Sequence, residues 1–120
     1  MSKNIIVYEK DNNCLELFGE LLNQHGFNAI PISDIHHLFD FVENNPTDVI
    51  ISDAEILFSI SDVLVNRLKR ILSKIPTLYL SDIHHSTHLK EKMKIRHDRV
   101  IEKPVAFVIL LESVYRELNT

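Results

Sequence analysis

The 120-residue chain has no tryptophan, only two glycines and a single cysteine, Cys14. One cysteine cannot form an internal disulfide, which excludes the small scaffolds that depend on several bridges. No apolar run approaches the roughly 20 residues that a membrane-spanning helix needs, and the first residues lack the pattern of a signal peptide. We therefore expect a cytoplasmic protein that makes no contact with a membrane.

The chain also lacks a strong charge of either sign. Lysine and arginine number 13 against 17 acidic residues, which gives a net charge of -4 and a pI near 5.9. A domain without a basic excess is not expected to bind nucleic acid by itself. Hydrophobic residues make up 45% of the chain, which favours a globular fold. The length suits one domain, and we predict that it covers residues 1–120.

Short apolar segments alternate with segments of helical periodicity. Most of the apolar segments are continuous runs, which is typical of parallel strands buried on both faces. This alternation predicts an α/β fold with five βα units, in which helices cover both faces of a parallel sheet in three layers. The predicted strands are 5–8, 28–32, 49–52, 77–80 and 100–101, and the predicted helices are 12–25, 33–44, 61–74, 84–97 and 105–118.

The helix ends carry signals of unequal strength. Gly26 follows the first helix at the position of a C-terminal cap, and Ser33 is of a residue type that caps a helix start. The fourth helix is the least apolar, with only Leu89, Met93 and Ile95 available for a buried stripe. We expect this helix to be either mostly exposed or mobile.

Three polar residues stand where apolar strands end. Glu9 follows the first predicted strand, Asp53 follows the third, and Lys103 follows the fifth, directly before Pro104. Ligand and catalytic groups gather at the carboxyl ends of parallel strands. Two carboxylates and a lysine at this edge indicate a site for phosphoryl chemistry.

These features together resemble the receiver domain of two-component response regulators, over essentially the whole chain. The closest likeness lies in Gly26-Phe27, in the segment 47–53 and in the segment 102–104. The resemblance implies a flavodoxin-like (CheY-like) doubly wound sheet of five parallel strands in the order 2-1-3-4-5. It also implies a role in a phosphorelay, as a phosphoprotein rather than an enzyme, beyond self-catalysed phosphoryl transfer.

The resemblance assigns roles to individual residues. Asp53 matches the phosphoacceptor, whose carboxylate attacks phosphorus and becomes an acyl phosphate. Lys103 matches the lysine that pairs with this phosphate, and Ser81 matches the hydroxyl that hydrogen-bonds to it. The implied partners are a histidine kinase or phosphotransfer protein, and a downstream effector protein or fused output domain. The resemblance also allows for a homodimer.

The implied cofactor is Mg²⁺, and one residue weakens this expectation. Glu9, Asp53 and the backbone carbonyl of Glu55 match metal ligands, but Lys10 stands where the second member of an acidic pair is usual. A lysine pointing inward would cost several kcal/mol at an effective dielectric of about 20. Asp11, next in sequence, is an alternative ligand.

Lys10 leaves a second hypothesis open. The chain could be a degenerate pseudo-receiver that acts as a phosphorylation-independent protein-interaction module, with Lys10 in the metal's place and paired with Asp53. A third hypothesis is a hydrolase with Asp53 as nucleophile and Glu55 as the second acid, for which the chain is short.

Two further patterns are interpreted as surface features. Five basic residues between positions 90 and 99 favour a solvated helix over a docking patch for an acidic partner. His84 and His88 are spaced to share a helix face, but without a clear third ligand we expect surface histidines rather than a metal site. The basic residues are Lys90, Lys92, Lys94, Arg96 and Arg99.

Overall fold

The computed structural model describes residues 2–91 and 93–119, and only the backbone of 83–85. Five strands form one parallel sheet, each within one residue of the predicted bounds at either end. The strands are β1 (Asn4–Tyr8), β2 (Asn28–Ile32), β3 (Val49–Asp53), β4 (Thr77–Ser81) and β5 (Val100–Glu102). Their order is β2-β1-β3-β4-β5, which confirms the expected doubly wound topology.

The described residues form six α-helices and one 3₁₀ turn, of which α6 follows the last strand and the others lie between strands. None of the helices in the described ranges has the length and hydropathy that crossing a bilayer requires. The helices are α1 (Asn12–Gln24), α2 (Ile35–Asn44), α3 (Ile56–Ser59), α4 (Asp62–Leu72), α5 (Ile83–Glu91) and α6 (Phe107–Leu118), and the 3₁₀ turn is His97–Arg99.

The core lies in two layers, one on each face of the sheet. Alternate residues of a strand point to opposite faces, so Ile5 packs in one layer and Ile6 in the other. Helices α1 and α6 cover the first layer, and α2, α4 and α5 cover the second. All residues of β3 and β4 are buried, which explains why their sequences are nearly continuous apolar runs.

Four predicted helix ends are wrong by two or more residues, and one helix was not predicted. Helix α4 ends at Leu72 rather than at residue 74, and α6 begins at Phe107 rather than at residue 105. Asp34 rather than Ser33 caps α2, because its carboxylate accepts hydrogen bonds of 3.1 Å from the backbone N–H groups of His36 and His37. The fourth predicted helix ends at Glu91 instead of reaching residue 97. The short helix α3 forms within a loop whose sequence lacks helical periodicity.

Helix α5 is followed by a residue in the left-handed conformation. Lys94 has φ of 56°, while the amides of Met93 and Ile95 donate to the carbonyls of His88 and Leu89 over 3.1 and 3.0 Å. Glycine usually occupies such a position after a helix because it has no Cβ to clash. Lys94 therefore holds a strained conformation that the turn imposes on it.

A buried carboxylate fixes the segment that follows. The side chain of Glu117 in α6 is fully buried, and its oxygens lie 2.7 Å from Arg99 Nη2 and 3.3 Å from Arg96 Nη2. Arg96 is also paired with Asp98 at 2.9 Å. These contacts tie the 3₁₀ turn to α6, so the chain between α5 and β5 has a defined course despite its polar sequence.

The left-handed Lys94 gives a stability prediction. We expect Lys94→Gly to raise the free energy of unfolding by about 1 kcal/mol, because glycine relieves the steric clash at positive φ. Urea denaturation followed by circular dichroism measures the change.

Lys90→Gly is the matched control, because it removes the same charge from a residue inside α5. It should lower stability by up to about 1 kcal/mol, as glycine does within a helix. A destabilising effect of Lys94→Gly equal to that of Lys90→Gly would contradict the assigned turn.

Candidate functional site

The sheet brings the predicted strand-end residues to one edge. Residue pairing aligns Tyr8 with Ser52 and Ser81 with Glu102, so β1, β3, β4 and β5 finish at nearly the same level. Glu9 and Lys103 follow the ends of β1 and β5 by one residue, and Asp53 is the last residue of β3. The edge therefore gathers both carboxylates and the lysine.

Lys103 provides the positive charge of this site. Its Nζ lies 3.4 Å from Asp53 Oδ1 and 3.8 Å from Glu9 Oε2, while 37% of its side chain is exposed. Partial burial favours the neutral amine, but attraction to Asp53 and then to Glu9 outweighs it and raises the pKa of Lys103. The two neighbouring carboxylates thus stabilise the ammonium form of Lys103.

Glu9 is buried beside the second carboxylate. Its exposed fraction is 4%, and its Oε1 accepts a 3.1 Å hydrogen bond from the Asp11 amide. Burial, together with the adjacent Asp53, raises the pKa of Glu9, although the Asp11 amide and Lys103 act in the opposite direction. The single ammonium of Lys103 therefore does not fully offset the cost of ionising both carboxylates.

Asp53 is held by the turn that follows β3. The Glu55 amide donates a 3.1 Å hydrogen bond to Asp53 Oδ1, and the Ala54 amide donates over 2.8 Å to the Leu80 carbonyl. The carbonyl of Glu55 accepts a 2.9 Å bond from the Phe58 amide because Glu55 precedes α3. The Glu55 carbonyl, which was predicted to be a metal ligand, therefore already accepts a hydrogen bond within a helical turn.

Ser81 lies on the neighbouring strand, with its hydroxyl in a local contact. It is 1% exposed, and its Oγ donates a 2.9 Å hydrogen bond to the Asp82 carbonyl. Its own carbonyl accepts from the Lys103 amide over 2.8 Å. This bond links the backbones of Ser81 and Lys103, and the Lys103–Pro104 peptide bond that follows is cis.

Lys10 does not pair with Asp53. It is exposed and forms no ion pair with any carboxylate in the described ranges, and the ammonium beside Asp53 is that of Lys103. Lys10 does line a cavity of about 10 Å³, which is roughly the space of one water molecule. The remaining lining residues are Tyr8, Glu9, Asp53, Glu55 and Ile56.

Asp11 has a structural role at the start of α1. Its Oδ1 accepts hydrogen bonds of 2.9 Å from the Asn13 amide and 3.4 Å from the Cys14 amide, which is the geometry of an N-terminal cap. A metal-ligand role for Asp11 stays a prediction.

The donor set around the cavity fits a hard divalent cation. Glu9 and Asp53 supply two carboxylates, and Glu55 lines the same cavity. Mg²⁺ is commonly held by one or two protein carboxylates and retains several waters. No group of three acidic, histidine or cysteine ligands occurs in the described part of the chain, so Mg²⁺ would depend on these two side chains.

Tyr8 is a site residue that the sequence did not single out. It lines the small cavity and is only 3% exposed. Burial, followed by the charges of Asp34 and Asp53, raises its pKa to about 12. Tyr8 therefore keeps its proton at neutral pH. The sequence signal that could have identified it as a site residue is its position at the end of β1, directly before Glu9.

The histidines and basic residues divide into several environments. The side chains of His84 and His85, and the whole of Lys92, lie outside the described residues. His88 contacts the Phe58 ring, with ring centroids 5.1 Å apart. Lys94, Arg96 and Arg99 line a second cavity, on the face of the sheet covered by α4.

Comparison with known proteins gives a result at the level of structure. No protein-family model matches the sequence, and no curated protein matches it either. A response regulator receiver domain protein from Clostridium thermocellum superposes with a TM-score of 0.79 and 22% identity, over 98% of this chain and 94% of that one. The fold is that of response regulator receiver domains.

Two further receiver-fold structures agree. A response regulator from Thermotoga maritima has a TM-score of 0.78 and 19% identity, with 100% of both chains covered. A response regulator receiver protein from Sinorhizobium medicae has a TM-score of 0.79 and 19% identity, over 99% of this chain and 96% of that one. The expected flavodoxin-like receiver fold is thus confirmed.

The raised pKa of Glu9 gives a prediction for stability against pH. A carboxyl group whose pKa rises on folding contributes its full stability below its ordinary value of 4.5, and this contribution is lost as pH rises through the folded value. We expect Glu9→Gln to raise the melting temperature at pH 8 by a few degrees, with a gain that shrinks towards pH 4.5.

Thermal unfolding across this pH range measures the effect. Glu16→Gln is the matched control because Glu16 is exposed on α1, and it should change stability little at any pH. A Glu9→Gln protein that is less stable than wild type at pH 8 would contradict the assignment.

Proposed function

We propose that the chain is a receiver domain of a two-component phosphorelay and that Asp53 accepts the phosphoryl group. The observation that carries the proposal is the position of the Lys103 ammonium, 3.4 Å from Asp53 and 3.8 Å from Glu9, at the carboxyl edge of the sheet. The receiver fold adds support, because this edge is where parallel α/β sheets bind ligands.

The chemistry is a direct transfer to a carboxylate. A carboxylate oxygen of Asp53 bonds to phosphorus as the P–N bond of a phosphohistidine donor breaks, and the electron pair passes to the imidazole nitrogen. The product is an acyl phosphate on Asp53. The backbone bond from Glu55 to Asp53 Oδ1 orients the carboxylate for this attack.

The neighbouring groups would stabilise the negative charge that the phosphoryl group adds. Lys103 is close enough to Asp53 to pair with a phosphoryl oxygen, for which a compact ammonium is suited. Ser81 would exchange its hydrogen bond with the Asp82 carbonyl for one with the phosphoryl group. Mg²⁺, held by Glu9, Asp53 and the Glu55 carbonyl, would supply the positive charge that two carboxylates and a phosphoryl group require.

The signal would pass through a change of surface. Moving Ser81 and the adjacent start of α5 alters the side of the domain formed by β4, α5 and β5. A downstream effector protein or a fused output domain would read this change, and the donor would be a histidine kinase or phosphotransfer protein.

Phosphorylation is tested with a small-molecule donor. Incubation with acetyl phosphate and millimolar Mg²⁺ should add the mass of one phosphoryl group to the intact protein, and hydroxylamine should remove it because it cleaves acyl phosphates. Asp53→Asn should abolish the added mass.

Asp40→Asn is the matched control because Asp40 is an exposed aspartate on α2, and it should be phosphorylated like the wild type. Absence of the mass increase in the wild type at millimolar Mg²⁺ would overturn the proposal, as would its persistence in Asp53→Asn.

A second function is favoured by one specific residue. Lys10 lines the cavity between Glu9 and Asp53, so a positive charge stands beside the metal position. This observation supports a pseudo-receiver that interacts with partners without phosphorylation. Because Lys10 is exposed, solvent screening reduces its effect on the site.

The Lys10→Asp variant separates the two functions. We expect it to bind Mg²⁺ roughly tenfold more tightly than the wild type, since it replaces a repulsive charge with an attractive one. Isothermal titration calorimetry gives the affinities, with Lys3→Asp as the control for net charge. Mg²⁺-dependent phosphorylation that appears only in Lys10→Asp would favour the pseudo-receiver.

A further inference from the structure

A cavity of about 430 Å³ lies away from the carboxyl edge of the sheet, beside the start of β4. Its walls come from α3, from the last turn of α4, from β4 and from the segment between α5 and β5. Ligand cavities in proteins commonly measure roughly 300–1,000 Å³. The size is therefore that of a small-molecule site.

The segment after α5 forms one wall of the cavity. The chain turns at Lys94, and the contacts of Arg96 and Arg99 with Glu117 hold the segment that follows against α6. This wall is therefore tied to the rest of the domain.

The interior of the cleft is apolar. Leu57, Leu72 and Tyr79 are each buried, and Met93 and Ile95 pack against the same core layer. All five line the cavity. They offer both an aromatic ring and aliphatic side chains to an apolar ligand.

The lining is also positively charged. Among the described residues, it includes Lys69, Lys94, Arg96 and Arg99 and no acidic residue. Arg96 and Arg99 are paired with Asp98 and Glu117, which they share with Arg116. Neither Lys69 nor Lys94 forms an ion pair with a carboxylate in residues 2–91 and 93–119, so two ammonium groups are left to pair with a ligand.

We propose that this cleft binds a small amphipathic anion, with an aromatic or other apolar body against Tyr79 and Met93 and an acidic group between Lys69 and Lys94. Charge complementarity selects an anion over a neutral ligand. The volume of about 430 Å³ matches a small molecule in size. The site is separate from Asp53 and does not depend on phosphorylation.

The probe is 8-anilinonaphthalene-1-sulfonate, which joins an aromatic body to one negative charge. Titration into the folded, full-length chain is followed by two-dimensional NMR. Expected shifts map to Leu57, Leu72, Tyr79, Met93 and Ile95, and the melting temperature rises because the ligand binds the native state. Shifts centred on Lys103, or a lowered melting temperature, would overturn the proposal.

Two comparisons test the role of charge. The neutral analogue N-phenyl-1-naphthylamine should bind several-fold more weakly than the sulfonate. Lys69→Gln and Lys94→Asn should each weaken sulfonate binding by roughly fivefold. Asparagine is chosen at residue 94 because it tolerates a left-handed conformation.

Lys74→Gln is the matched control, because Lys74 is exposed beyond the end of α4 and does not line the cavity. It should leave the affinity unchanged. Equal affinities for the charged and neutral probes, or equal effects of Lys69→Gln and Lys74→Gln, would overturn the proposal.

Discussion

The pairing of Lys103 with two buried carboxylates is the interaction on which the candidate site depends. Glu9 and Asp53 are 4% and 7% exposed, and two charges so placed repel each other unless a cation offsets them. Lys103 can reach both because the backbone amide of Lys103 is bonded to the Ser81 carbonyl, which extends the β4–β5 pairing to this residue. The sheet order therefore determines the electrostatics of the site.

The sequence was sufficient for the sheet and for the grouping of the site residues. Fully buried parallel strands require apolar residues on both faces, so β1, β3 and β4 were visible as runs. The polar residue after each run marked the edge where Glu9, Asp53 and Lys103 meet. Their identification as a group needed only the topology, because parallel strands all end on the same side.

The parts that failed depend on the exact course of the backbone. Asp34 and Ser33 are both capping types, and only the course of the chain decides which one reaches the amides of α2. The end of α5 is set by tertiary contacts, since neither glycine nor proline marks it in the sequence. The sequence did not determine whether Lys10 points into the site or into solvent. In the structure Lys10 is exposed, and Lys103 pairs with Asp53.

The turn after α5 links the fold to its second cavity. Neither of the two glycines lies in this turn, and Lys94 takes the positive φ there. Lys94 also lines the cleft. Three of the basic residues that suggested a solvated helix in the sequence thus lie in two arrangements. Arg96 and Arg99 pair with Asp98 and Glu117 and hold the wall, whereas Lys94 and the α4 residue Lys69 form no ion pair with a carboxylate in the described residues.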